Sequence, residues 1–195
     1  MRVQHLFFFV ASFGVLLVSN PAGGQTIVSM GRGYAHDCFT YAKAGVDPFD
    51  GVSVCDMALK EDPLTPKDRA ATYDNRGVML DQLGHGEKAA DDFHMAISLN
   101  ENLGDAHVNL GSILIKQRRY PDALEEINKG LDLGMSFPLI GYYDRAIAEE
   151  MSGQYKEAYY DFKKVLEIEP NYAPAIERLK DFTVITKPAA AERQG

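Results

Sequence analysis

Residues 73–170 repeat one pattern three times, and this repetition predicts a fold of stacked units. Its middle copy, residues 107–127, reads HVNLGSILIKQRRYPDALEEI. Each copy has a small residue in its first half and an alanine in its second half, spaced 34 and then 35 residues from one copy to the next. The small residues are Gly77, Gly111 and Ala146, and the alanines are Ala89, Ala123 and Ala158. Self-similarity at a fixed period of this length is typical of stacked supersecondary units.

The repeated small residues predict two antiparallel helices in each unit. Helices joined by a tight turn can approach closely only where their side chains are small. A bulky residue one turn after each alanine would fill the space beside that contact. These bulky residues are Phe93, Ile127 and Phe162. Because no unit can bury its apolar face alone, at least three units should stack.

This spacing and pattern resemble the tetratricopeptide repeat, a helix-turn-helix unit of about 34 residues. The resemblance implies an all-α fold, a right-handed superhelical solenoid of antiparallel helix pairs. Its regular part covers residues 64–172, with units at about 70–103, 104–138 and 139–172. Around this part we expect a degenerate N-terminal helix pair at 25–63, a capping helix at 173–186 and a flexible tail at 187–195.

Two copies carry an arginine and an aspartate sixteen residues apart on facing helices. The pairs are Arg76 with Asp92 and Arg145 with Asp161, whereas the second copy has Leu110 and Glu126 at these positions. We interpret the pairs as structural ion pairs within a repeat, bidentate where geometry allows. An active-site role for the same residues is the alternative.

The charge of the chain excludes several classes of partner. The formal net charge is −8, and it becomes −9 if Arg2, the only charge before Gln25, is removed. Phosphate binding needs clustered lysine and arginine, and the sequence has no basic run. We therefore expect no binding to nucleic acid or to an anionic membrane surface.

Residues 1–24 have the pattern of a secretory signal peptide. Arg2 precedes an apolar core from Leu6 to Val18, and small residues follow ahead of Gln25. The apolar run is short for a membrane span, so no span should remain after cleavage, although an uncleaved anchor is the alternative. We expect an exported bacterial protein located in the periplasm, with secretion as the second possibility.

The two cysteines, Cys38 and Cys55, both lie in the degenerate helix pair. Setting Pro63 against Pro170 places Cys55 where the regular units have Phe93, and it places Cys38 where they have Arg76. A disulfide would then staple the least regular pair of helices, stabilising it by roughly 3 kcal/mol. Two free thiols, a redox pair and an incomplete zinc site are the alternatives.

The resemblance also implies a binding site, because first helices in this family line a concave groove that takes a peptide. Asn75 and Asn109 match an asparagine that hydrogen-bonds a ligand backbone, and Tyr143 falls on the groove side. The other predicted groove residues are Asp74, Val78, Asp81, Gln82, Asp105, Val108, Ser112, Lys116, Ile140, Asp144, Ile147, Glu150 and Met151.

Acidic residues replace the basic clamp with which chaperone-binding members of the family hold a C-terminal carboxylate. Asp74 and Asp105 stand at lysine positions, and Asp144 stands at an asparagine or arginine position. Such a groove should repel an acidic tail and prefer a basic or mixed apolar segment. The alternative is a solvated acidic face that binds nothing.

These features predict an interaction scaffold or adaptor rather than an enzyme. No nucleophile elbow, phosphate loop or metal-ligand spacing is present in the sequence, so we expect no catalytic residue, cofactor or metal. The alternatives are a periplasmic assembly factor or chaperone-like holder with many clients, and a regulator of a cell-envelope enzyme. A homo-oligomer is possible for a solenoid with flat exposed faces.

Overall fold

The computed structural model describes residues 16–19, 25–28 and 33–183, and the chain divides into two compact units, residues 1–33 and 34–195. In the first unit, β1 (Leu16–Ser19) pairs antiparallel with β2 (Gln25–Val28), and Leu16 lies opposite Val28. This hairpin was not predicted. The signal peptide predicted at residues 1–24 lies largely outside the described residues, and the tail predicted at 187–195 lies wholly outside them.

The second unit is helical throughout its described length and has the fold predicted from the repeats. The helices are α1 (Tyr34–Ala44), α2 (Pro48–Glu61), α3 (Pro66–Gln82), α4 (Gly86–Leu99), α5 (Gly104–Lys116), α6 (Tyr120–Leu133), α7 (Pro138–Met151), α8 (Tyr155–Ile168) and α9 (Ala173–Leu179). Successive pairs pack as hairpins: α1 with α2, α3 with α4, α5 with α6 and α7 with α8. No helix in the described residues is both long and apolar enough to cross a membrane.

The first helix of each regular repeat ends in the same left-handed turn. Gly84, Arg118 and Gly153 have φ values of 79°, 61° and 78°. The next residue donates its backbone N–H back to the carbonyl five residues earlier, for example from His85 to Leu80 at 2.9 Å. This is the Schellman arrangement, which satisfies helix C-terminal carbonyls. Two of the three turns use glycine, which has no Cβ to oppose a positive φ.

Close approach of the paired helices depends on the small residues, as predicted. A Cβ built on Gly77 would lie 2.6 Å from the Phe93 ring, and one built on Gly111 would overlap Ile127. Phe93 and Ile127 are almost fully buried in the central core. In the third repeat Ala146, Ala158 and Phe162 are completely buried in a second cluster.

Both ends of the three regular repeats have defined caps. Thr65 Oγ1 accepts a 3.2 Å hydrogen bond from the backbone N–H of Asp68, and Pro66 occupies the first helical position of α3. At the other end α9 stops at Leu179, seven residues before the predicted boundary. The backbone then tightens into i→i−3 hydrogen bonds, which bring the Phe182 ring 5.9 Å from Phe162. The cap is therefore one short helix followed by an aromatic contact.

Candidate functional site

The first helices of the repeats form a continuous surface. α3 contacts α5, and α5 contacts α7, in addition to the contacts within each hairpin. We call this surface the groove face. It consists of the outward residues of α3, α5 and α7, which include the predicted positions Asn75, Asn109, Tyr143 and the acids near them.

Asp74 and Asn109 join α3 to α5 across the groove face. The Asn109 amide donates a 2.9 Å hydrogen bond to Asp74 Oδ1, and Asp74 is only 9% exposed. Burial raises the pKa of Asp74 to about 7; the Asn109 hydrogen bond opposes the shift and the charge of Asp105 adds to it. One donor of Asn109, predicted to bind a peptide backbone, is therefore committed to the fold.

Asp144 and Asp81 take part in the same network further along the groove face. Ser112 on α5 donates a short hydrogen bond to Asp144 on α7. Lys116 places its ammonium 2.6 Å from both carboxylate oxygens of Asp81 on α3. Burial raises the pKa of Asp144, while the Ser112 hydrogen bond and the Lys116 charge oppose the shift. These acids are held by protein partners rather than presented bare to a ligand.

Asp105 and Glu150 complete the pattern at the ends of α5 and α7. Asp105 accepts 3.0 Å hydrogen bonds from the backbone N–H and the hydroxyl of Ser136, just before α7. Glu150 lies 3.4 Å from Arg178 of α9. Sequence reasoning missed this network, although Asp74 and Asn109 are spaced by one repeat period. Comparing polar residues one repeat period apart in the sequence could have revealed it.

Three predicted groove residues are less available than expected. Val108 is wrong as a ligand contact because it is fully buried, with a methyl group against Gly130 of α6. Tyr143 is half-buried, and its ring packs edge-on against Phe162 and Tyr172 at 5.8 and 5.4 Å. Val78 is likewise half-buried against the central core.

The groove positions that remain at least partly accessible carry amide or apolar side chains. Asn75 and Ile147 are half-buried, whereas Gln82 is exposed. Ile140 and Met151 are 40% and 47% exposed on α7. Ile140, Ile147 and Met151 follow one another at helical spacing, so they form one apolar stripe.

The two predicted ion pairs are present and bidentate. Arg76 donates through Nε and Nη2 to Asp92 at 2.7 Å each, and Arg145 donates to Asp161 at 2.6 and 2.9 Å. The hydrogen bonds that Arg76 donates to Asp92 raise the pKa of Arg76. The remaining guanidinium nitrogen, Nη1, donates to the preceding helix pair in both repeats. Arg76 Nη1 donates to Asp56 of α2, and Arg145 Nη1 donates to Asn128 of α6. These arginines therefore join successive helix pairs as well as helices within a repeat.

His107 supplies the corresponding contact in the second repeat. It is 1% exposed, with Nδ1 2.7 Å from Glu126 Oε2 and Nε2 3.1 Å from the Glu101 carbonyl oxygen. Sequence reasoning missed this polar pair. Among the described residues, no group of three or more His, Cys, Asp or Glu side chains could hold a metal ion.

Cys38 and Cys55 form a disulfide between α1 and α2, and both are fully buried. Their Cα atoms are 4.8 Å apart. The predicted alignment of Cys38 with Arg76 needs correction. In the regular repeat the residue that meets Phe93 is Gly77, so Cys38 takes the place of the glycine. The bond therefore occupies the site of closest helix approach.

Comparison with known proteins agrees with this geometry. Residues 140–172 match the family model described as Tetratricopeptide repeat. The Photosystem I assembly protein Ycf3 of Acaryochloris marina (strain MBIC 11017) is 34% identical over 84 residues, 42% of this chain and 49% of that protein. The DnaJ homolog subfamily C member 7 homolog of Dictyostelium discoideum is 28% identical over 109 residues, 56% of this chain and 20% of that protein. The chain thus spans about half, or less, of the length of these curated relatives.

Solved structures share the fold at low sequence identity. PilW, described as a widely conserved type IV pilus biogenesis factor, has a TM-score of 0.64 at 24% identity, covering 75% of this chain and 65% of that one. MamA has a TM-score of 0.58 at 18% identity, covering 73% and 80%. The first TPR of Spaghetti (RPAP3), bound to the HSP90 peptide SRMEEVD, has a TM-score of 0.55 at 21% identity, covering 58% and 90%. At these identities the likeness shows the fold alone.

Proposed function

We propose that this chain, a tetratricopeptide repeat protein, is an exported, non-catalytic scaffold that binds a partner peptide or protein on its groove face. The observation that carries the proposal is the continuity of that face. Hydrogen bonds from Asn109 to Asp74 and from Ser112 to Asp144 fix α3, α5 and α7 beside one another. A surface held this way is organised before binding, so a ligand need not order it.

The chemistry of the groove face favours a mixed apolar segment with basic rather than acidic residues. Its apolar stripe on α7 can contact aliphatic side chains, and the Asn75 amide can both donate to and accept from a peptide bond. The charged side chains of the face and its edge number five acids and two bases: Asp74, Asp81, Asp105, Asp144 and Glu150 against Lys116 and Arg178. This excess would repel an acidic tail.

A second candidate function is a periplasmic assembly factor or holder that binds many clients transiently. The exposure of Ile140 and Met151 favours it, because an apolar stripe accepts varied sequences. Two similar proteins are described as an assembly protein, for Photosystem I, and as a biogenesis factor, for the type IV pilus. A specific scaffold should capture one dominant partner in near-equal amounts, whereas a holder should capture a broad mixture.

Export is part of the proposal and is supported by the disulfide. Disulfides persist in oxidising compartments and are rare in the cytosol. The buried Cys38–Cys55 bond joins the degenerate helix pair, where it takes the place of the Gly77–Phe93 contact of the regular repeat. A periplasmic location, which we propose, and secretion both fit this chemistry.

Affinity capture from an envelope extract tests the groove assignment. The groove variant combines Asn75→Ala, Ile140→Glu and Met151→Glu, which change side chains outside the hydrogen-bond network. The control variant carries Met57→Glu and Met95→Glu, two exposed apolar positions on the second helices α2 and α4. We expect wild type and control to retain the partner and the groove variant to lose it. Retention by the groove variant would show that another surface binds.

A further inference from the structure

The first helix of the first regular repeat has one more turn than its counterparts. α3 begins eleven residues before Gly77, whereas α5 begins seven residues before Gly111 and α7 begins eight residues before Ala146. At about 3.6 residues per turn, the difference between α3 and α5 is one turn of helix. The additional turn consists of residues 66–69, and the first helices of the two later repeats begin without it.

A cleft of about 580 Å³ lies beside this additional turn. One wall is the start of α3, and the other is the end of α4 with the loop before α5. The first wall consists of Thr65, Pro66 and Lys67, and the second consists of Leu99, Asn100, Asn102 and Leu103. No member of this set is a predicted groove residue, so the cleft is distinct from the proposed binding site on the groove face.

Both walls are held by hydrogen bonds to neighbouring parts of the fold. In the additional turn, Arg69 Nη1 donates a 2.9 Å hydrogen bond to the Leu59 carbonyl of α2. In the loop before α5, the Glu101 carbonyl oxygen lies 3.1 Å from Nε2 of the buried His107. The cleft is therefore formed before any ligand binds, and a ligand need not order its walls.

Three polar side chains of the cleft keep groups available for a ligand. Within the part of the chain that the structure describes, the Lys67 ammonium and the Asn102 side-chain amide have no hydrogen-bond or ion-pair partner. Asn100 accepts a 3.3 Å hydrogen bond from the backbone N–H of Asn102 through its side-chain oxygen, which leaves its amide N–H groups available. Lys67 and Asn102 are exposed, and Asn100 is half-buried. One cation and two amide donors therefore line the same cleft.

The charge of the cleft is opposite to that of the chain as a whole. Among the residues that the structure describes, those lining the cleft include one cation and no acid, although the chain has a formal net charge of −8. The acids adjacent in sequence, Asp68 and Glu101, are not lining residues, and Asp68 accepts a 2.7 Å hydrogen bond from the Thr65 hydroxyl. By contrast, the cleft between α2, α3 and α4 is lined by three aspartates. The cleft beside the additional turn therefore favours an anion.

The rest of the lining is mainly apolar. Pro66 is exposed at the start of α3, and Leu99 and Leu103 are half-buried on the opposite wall. An aliphatic group placed between these walls would be removed from water, which is favourable. Phosphate fits less well than a carboxylate, since phosphate binding needs clustered cations and the lining supplies one.

We propose that this cleft binds a carboxylate that carries a short aliphatic body. The Lys67 ammonium supplies the countercharge, and the amide N–H groups of Asn100 and Asn102 donate to the carboxylate oxygens. The aliphatic body packs against Leu99 and Leu103. Two sources supply this chemistry, a free small acid and the C-terminal residue of a peptide. The inference does not depend on the proposed function, because the cleft shares no residue with the groove variant defined above.

NMR titration of the full chain tests the inference. The probe is isocaproate, compared with its neutral amide and with acetate, which keeps the charge and lacks the aliphatic body. We expect saturable shifts of the backbone amides of Lys67, Asn100 and Asn102 with a Kd of roughly 1–10 mM, the range of a small ligand with one charged contact. The neutral amide and acetate should each bind several-fold more weakly than isocaproate.

Matched variants separate this site from general charge attraction. Lys67→Gln removes the lining cation and should weaken isocaproate binding several-fold. Asn102→Ala removes an amide donor and should also weaken it. Lys129→Gln removes an exposed cation from α6 and should leave binding unchanged. The groove variant should bind isocaproate as wild type does, so failure of the groove proposal and failure of this one can be told apart.

The dipeptide acetyl-Ala-Leu with a free C-terminus separates the two sources of the ligand. Tighter binding of this dipeptide than of isocaproate would support a peptide C-terminus, and equal or weaker binding would support a free acid. The proposal is overturned if the neutral amide or acetate binds as tightly as isocaproate, if Lys67→Gln binds as wild type does, or if isocaproate produces no saturable shift.

Discussion

Asp74 on α3 and Asn109 on α5, one repeat period apart, are joined by a 2.9 Å hydrogen bond. The bond fixes one first helix against the next and removes an acid from direct contact with a ligand. The Ser112–Asp144 and Asp81–Lys116 pairs act in the same way further along the groove face. The acids of the groove face therefore help to pack the repeats against one another, and they also contribute to the electrostatic potential of that face.

Because the pKa of Asp74 is raised in the folded protein, the free energy of unfolding should depend on pH. The folded pKa is about 7 and the ordinary value is 3.8, so between them the folded state binds more protons than the unfolded state. This contribution to stability is therefore largest near pH 4 and falls as pH rises through 7. Asp74→Asn keeps an acceptor for Asn109 and should flatten this dependence. Urea midpoints at pH 5 and pH 8 measure it.

The control for this prediction is Asp91→Asn, which neutralises an exposed acid on α4. It should retain the slope of the wild-type protein between the two pH values. An Asp74→Asn slope equal to that of wild type would show that Asp74 titrates as an ordinary exposed acid.

Replacing Glu149 with leucine should stabilise the third repeat. The change restores the residue type of the other two repeats and removes a buried carboxylate whose Oε2 is unpaired. We expect about 1–3 kcal/mol from the desolvation penalty alone, measured by urea unfolding at pH 8. Glu157→Leu, at an exposed position, should change stability by less than about 0.5 kcal/mol. Destabilisation by Glu149→Leu would mean that the carboxylate has a structural partner.

Loss of the disulfide should weaken the N-terminal helix pair. Cys38→Ser with Cys55→Ser should cost roughly 3 kcal/mol in the chain-entropy model for a loop of 17 residues. Hydrogen exchange should show the loss in α1 and α2, with α5 to α8 still protected. Reductant should destabilise the wild type and leave the double variant unaffected. Equal stability with and without reductant in the wild type would contradict this role.

Glycine in place of Arg118 should stabilise the left-handed turn at this position. Arg118 adopts φ 61° where the other repeats have Gly84 and Gly153. A residue with a Cβ pays roughly 1–2 kcal/mol in this region. Arg118→Gly should therefore raise the thermal midpoint, and the reverse change Gly84→Ala should lower it. A lower midpoint for Arg118→Gly would show that its side chain contributes more than the strain costs.

Periodic features of the fold could be predicted from the sequence, and features particular to one repeat could not. The Arg76–Asp92 and Arg145–Asp161 pairs occur at the same offset in two copies, so comparison of the copies found them. Glu149 departs from the pattern. Its destabilising effect can be recognised only when the other hydrogen-bond partners of Arg145 are known.

The groove face was harder to predict because it depends on the angle between successive repeats. That angle brings Asn109 beside Asp74. Val108 is buried for a different reason, since it turns inward against Gly130 of its own helix pair. Aligning the three repeats within the sequence predicted the fold but could not predict this angle. The degenerate pair shows the same limit, since the disulfide marks Cys38 as the equivalent of Gly77 rather than Arg76.

Site-specific photo-crosslinking distinguishes binding on the groove face from binding on the second helices. A photoreactive phenylalanine analogue at Met151, on the groove face, is compared with the same residue at Met95 on α4, each nearly half-exposed. The proposed function predicts that the partner crosslinks to the Met151 position and not to the Met95 position. Crosslinking from Met95 with none from Met151 would contradict it and place binding on the second helices.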